Sequence, residues 1–136
     1  MLIIDFHVHC FEDDLAERAV KKLAEASSLV PMSDGTVPGI KKSMKSAGVD
    51  KSVVLTIATK PQQTHKINQW AASVQDENII AFGTVHPDYA DWENELEWLH
   101  SSGIRGIKFH PEYQRFEVDD RRMFPIYEKA AELGLI

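Results

Sequence analysis

Two histidines one residue apart, His7 and His9, lie with Asp5 in the opening stretch Leu2-Ile3-Ile4-Asp5-Phe6-His7-Val8-His9. Ile3, Ile4, Phe6 and Val8 predict a buried strand. Successive strand side chains point to opposite faces, so Asp5, His7 and His9 are expected on one face. Imidazoles at i and i+2 have Cβ atoms roughly 6.5 Å apart on a twisted strand, close enough for both rings to reach one cation with bonds of about 2.0–2.1 Å. Two His and one Asp on an apolar strand are costly to bury without a metal or a charge partner, so the spacing points to metal ligation, against a bland reading as hydrogen-bonded core histidines. Cys10, the single cysteine, excludes an intrachain disulfide, and its position after His9 puts it on the opposite face, in packing.

The elements that must position these groups alternate along the chain. After Glu12-Asp13-Asp14, the residues Leu15, Ala16, Ala19, Val20, Leu23 and Ala24 recur at helical spacing, and Asp14 with Glu17 has the offset of a capping box. From Leu29 to Gly39 the chain is rich in turn formers, a candidate lid or an ordinary surface excursion. A helix over Ile40 to Ala47 ends at Gly48, and Ser52 to Ile57 reads as a second buried strand. Gln62 to Gln75 is predicted helical and Ile79 to Val85 a third strand, with His86-Pro87 at its end. A helix capped by Asp91 turns Trp92, Leu96 and Leu99 inward and its acids outward, closing at Gly103. Ile104 to His110 is predicted as a fourth strand, with Ile107 and Phe109 on one face and Lys108 and His110 on the other. A last helix runs from about Asp119 to Leu133. His65 and His100 fall on water-facing helix positions, and Trp70, Trp92 and Trp98 at core spacing.

Consecutive strands after the second are separated by roughly 25–30 residues, the length of a βαβ unit, and right-handed crossovers lay each helix on one side of a parallel sheet, as a (β/α) barrel grows. His9, His86 and His110 then gather at the C-terminal strand ends, where such folds build their sites. A doubly wound sheet fits the topology too, but no Gly-rich phosphate loop follows the first strand. The chain has 136 residues, 15 Lys plus Arg and 21 Asp plus Glu, for a net charge of −6 without any basic run, which argues against a nucleic-acid partner. No targeting segment precedes the first strand and nowhere do 18 apolar residues run together, so the expectation is a cytoplasmic protein with no membrane partner.

Asp5-Phe6-His7-Val8-His9, Gly48-Val49-Asp50-Lys51-Ser52-Val53-Val54-Leu55 and Gly83-Thr84-Val85-His86-Pro87 together resemble the amidohydrolase superfamily. Gly103-Ile104-Arg105-Gly106-Ile107-Lys108-Phe109-His110-Pro111, Phe124-Pro125-Ile126-Tyr127 and Ala131-Glu132-Leu133-Gly134 are similar to its amidohydrolase-related branch, which holds both hydrolases and non-oxidative decarboxylases. The resemblance implies a divalent metal, most often zinc, on a (β/α)8 barrel, with His7 and His9 as ligands. In that family the other ligands are histidines of the fifth and sixth strands and an aspartate at the eighth, which is also the base. This chain stops at Leu135-Ile136, where a fifth strand should begin, while a whole barrel needs roughly 250 residues. The expected fold is therefore α/β, the N-terminal half (about four βα units) of a TIM-type (β/α)8 barrel, as a single partial domain over 1–136.

His110 is a candidate for substrate binding or a structural hydrogen bond. Lys108 is a second substrate-binding candidate; it either bridges metals as a modified lysine, as in some two-metal relatives, or finds a charge partner in Asp5. His86 points either way, and no catalytic residue is assigned. The implied function is a metal-dependent hydrolase in which metal-activated water attacks an ester, amide or lactone-like bond of a small substrate, with the chain inactive alone. Alternatives are a metal-dependent non-oxidative decarboxylase (a lyase) and a non-catalytic half-barrel that self-associates. A parallel sheet covered on one face predicts a homo-oligomer through its uncovered surfaces.

Overall fold

A computed structural model describes residues 1–28 and 30–136. Strand β1 (Ile4–Val8) leads into helices α1 (Asp13–Ser27) and α2 (Val37–Ala47), then β2 (Lys51–Leu55). A 3-10 turn at Pro61–Gln63 opens α3 (Thr64–Ser73), and β3 (Ile79–Phe82) precedes α4 (Trp92–Ser101). A one-turn α5 (Pro111–Gln114), a second 3-10 turn at Arg121–Met123 and α6 (Phe124–Glu132) complete the order. The three strands form a parallel sheet in sequence order. The mixed α/β class and the parallel sheet agree with the sequence.

The fourth predicted strand is reduced to a single parallel bridge between Gly83 and Ile107. Gly106 lies where the Phe82 ring packs: a Cβ there would stand 2.3 Å from a ring carbon. On its other side, Ile107 N donates to Ile136 O at 2.8 Å and Ile136 N to Arg105 O at 3.0 Å, one further step of parallel ladder.

Alternation along the strands assigns two apolar faces. Val54 and Ile79 pack with Met44 of α2, and Ala81 packs with Ala71 of α3, Leu96 and Leu99 of α4 and Ile126 of α6. Val53, Leu55, Ile80 and Phe82 form a separate cluster, and Phe6 meets Phe82 edge-on at 5.6 Å. The prediction of a buried first strand fails here. Ile4 is 43% and Phe6 55% exposed, because β1 is an edge strand hydrogen-bonded only to β2.

Helix boundaries follow local chemistry. Thr36 caps α2 by accepting from Gly39 N at 3.0 Å, so this helix starts at Val37 rather than Ile40. Gly48 ends it with φ +72. The Asp14–Glu17 box is not used, since α1 begins after Glu12 without a side-chain cap. Leu29, within the predicted loop, lies outside the described residues. Among the described residues no helix is long and apolar enough to cross a membrane.

Candidate metal centre and the adjoining cavity

His7 and His9 meet through their Nε2 atoms, 3.1 Å apart. Asp5 does not join them. It sits opposite Ser52 and Val8 opposite Val54, so β1 spends three steps where β2 spends two, and this bulge takes Asp5 out of register with the imidazoles. Its carboxylate accepts from His7 N at 3.1 Å instead. His9 Nδ1 lies 2.9 Å from Leu55 O, and only a protonated nitrogen can donate to a carbonyl, so the neutral ring presents its lone pair at Nε2. Partial burial pulls the His9 pKa below its ordinary value; the Leu55 hydrogen bond opposes this, while His7, Lys108 and His110 add to it by charge repulsion.

The two residues fit a divalent cation. Two nitrogens on one tetrahedral zinc with bonds of about 2.0–2.1 Å stand about 3.3 Å apart, close to the observed gap, and neutral imidazole is the right donor. Among the described residues, however, no group of three His, Cys, Asp or Glu converges on one point. His7 and His9 offer two ring nitrogens, below the three protein ligands of a catalytic zinc.

A cavity of about 1100 Å³ opens beside them, and His9, His86 and His110 all line it, as their positions at strand ends predict. His86 is buried; its Nδ1 accepts from Asp88 N at 3.1 Å, and burial lowers its pKa, with Asp88 opposing and Arg122 adding to the shift. His110 makes a structural hydrogen bond, its Nδ1 accepting from Tyr113 N at 3.4 Å at the start of α5, and its ring lines the cavity, stacked on Tyr113 with centroids 4.0 Å apart. The predicted Lys108–Asp5 pair does not form. Lys108 is half-buried, and its amide donates to Gly83 O at 2.8 Å. Cys10 is buried in the α2 cluster and its thiol is pushed up to about 11, by burial first and then by Asp34. Among the described residues, those at 30–39 do not line the cavity; α1 does, through Leu15 and Ala19.

Three features escaped the sequence. Gln114 is buried, accepts from His110 N at 2.7 Å and donates to Ala58 O and Val85 O, each at 3.1 Å, tying three strand ends together. Its only sequence signal is a glutamine four residues past His110 on a Pro-initiated turn. Glu95, expected outward, is 3% exposed and is held by Asn68 Nδ2 at 2.7 Å and His65 Nδ1 at 2.9 Å. His65 is thus paired rather than idle, and Asn68 in turn clasps both backbone groups of Thr84 at 2.8 Å, just ahead of His86. Tyr113 had no signal at all. A family model described as amidohydrolase matches residues 4–136, from the first residue of β1 to the ladder step after α6, and the chain belongs to the amidohydrolase family.

Proposed function

We propose that the chain carries the first two metal ligands of a metal-dependent hydrolase that cleaves an ester, amide or lactone-like bond in a small substrate. The observation that supports this most is the meeting of His7 and His9 through Nε2, with the tautomer of His9 set by Leu55. The family, one of metal-dependent hydrolases and decarboxylases, supports the same reading. A divalent cation, zinc in this reading, supplies Lewis acidity to a carbonyl oxygen and acidity to water. The chain's own residues do the rest. His9 would hold the cation through its Nε2 lone pair and His7 through Nε2 with its own proton carried on Nδ1, while His110 on the cavity wall and Lys108 are the residues assigned to the substrate. With two ligands among the described residues, turnover by this chain alone is not expected.

The sheet supports placing these residues on half of a (β/α)8 barrel. Its strands run parallel in sequence order, and both faces are apolar although helices cover only one, as the wall of a barrel requires. The exposed β1 favours association through its free edge, with a second copy as partner.

The test is an assay of the complete gene product on aryl esters, lactones, amides and aromatic acids, with and without added zinc. Zinc-dependent ester or lactone hydrolysis that disappears in His7→Ala is expected. Release of carbon dioxide from the acids would replace hydrolysis by decarboxylation, and inactivity on every class with metal bound would overturn both.

A further inference from the structure

The cavity beside the imidazoles has a charge that the whole chain does not. Net charge is −6, yet of the three carboxylates on the cavity wall two are neutralised: Glu12 by Lys66 at 3.2 Å and Asp88 by Arg122 at 2.6 Å. Against the remaining Glu112 stand Lys22, Lys60 and Arg115, none of which has a carboxylate partner among the described residues. Unpaired cations on a concave wall raise the local concentration of anions.

Arg115 is built into place. It adopts φ +56 and ψ +58, a left-handed conformation that residues with a Cβ rarely take and that the surroundings must enforce. Those surroundings are visible: its amide donates to Pro111 O and its carbonyl accepts from Arg122 Nη2 at 3.0 Å, while Arg122 is itself anchored to Asp120 and Asp88. Its side chain is exposed on the cavity wall, which the stacked Tyr113 and His110 rings also line. Across the cavity Leu15, Ala19, Ile67 and Trp70 give an apolar wall.

We propose that the cavity takes a small organic anion with an apolar body, and that Arg115 is the specificity-determining residue that holds its carboxylate; this rests on the hydrolase reading of the same site. A guanidinium fork matches a carboxylate through two parallel hydrogen bonds, which a lysine cannot reproduce. The ring or acyl body lies between the Tyr113 face and the α1 wall, and places the rest of the molecule toward His9.

The experiment uses metal-free protein in chelator, with 2-naphthoate, its neutral counterpart 2-naphthamide, and inorganic phosphate, followed by NMR of the Tyr113 ring and the Leu15 methyls. Naphthoate is expected to bind saturably and at least tenfold more tightly than naphthamide. Arg115→Gln should erase that preference and Arg115→Lys keep part of it. Arg115→Gly, which suits the left-handed backbone, gives the same loss in a fold that is not weakened. Equal binding of naphthoate and naphthamide, a preference that survives Arg115→Gln and Arg115→Gly, or displacement of naphthoate by equimolar phosphate would overturn the proposal. Because no metal is present, such a failure leaves the His7–His9 seat untouched. Failure of the seat is read separately, as loss of zinc binding in a His7→Ala, His9→Ala variant titrated without naphthoate.

Discussion

At the scale of single residues, chemistry that depends on neighbours in sequence was legible and chemistry that depends on distant partners was not. His7 and His9 could be paired from spacing alone, because two residues along a strand fix their separation. Gln114 could not, since its two carbonyl partners are 56 and 29 residues away. Gln114→Leu keeps the volume roughly but strands two buried carbonyls and the His110 amide, and is expected to cost about 2–4 kcal/mol. Urea denaturation measures it; a loss below about 0.5 kcal/mol would show that the tie is dispensable. Cys10, 5% exposed with its thiol pushed up to about 11, is expected to resist iodoacetamide at pH 8 in the native protein and to react once unfolded. Equal rates in the two states would contradict its placement.

At the scale of elements, helices and central strands were read well and the edges poorly. The periodicity of α4 located Leu96 and Leu99 but not Glu95, because a carboxylate at a core position looks like a surface residue until Asn68 and His65 are brought to it. The first strand read as buried because its composition is that of an inner strand, and only pairing on both sides would bury it. The segment after β3 bears on the pH response. His86 is kept neutral by burial and accepts from Asp88 N, so between its lowered folded pKa and the ordinary 6.5 the unfolded chain binds the extra proton. Its contribution is present above pH 6.5 and is lost as pH falls below it. His86→Asn, which retains an acceptor for Asp88 N, is expected to flatten the decline in stability between about pH 6.5 and 5. Asp76, held at about 2 by the Lys41 ammonium and by backbone amides, gives up its share in a separate window below about pH 4. An unchanged slope in the His86 variant between pH 6.5 and 5 would contradict the first assignment.

At the scale of the molecule, the parallel order of the sheet follows from strand spacing and handedness, which is why a barrel-like reading was available from sequence. Phe6 at 55% exposure on an edge strand predicts concentration-dependent association, lowered by Phe6→Ser; sedimentation velocity checks it, and a single monomer species at high concentration would contradict it. The functional reading rests on the proposed cation seat at His7 and His9. Its most direct measurement is a zinc titration of the apo chain, with the His7 and His9 ring nitrogens followed by NMR and a His7→Ala, His9→Ala variant alongside. Weak, saturable binding is expected that shifts Nε2 of both rings, leaves Nδ1 of His9 protonated toward Leu55, and vanishes in the variant. Binding that persists in the variant, or that moves other side chains and neither imidazole, would contradict it.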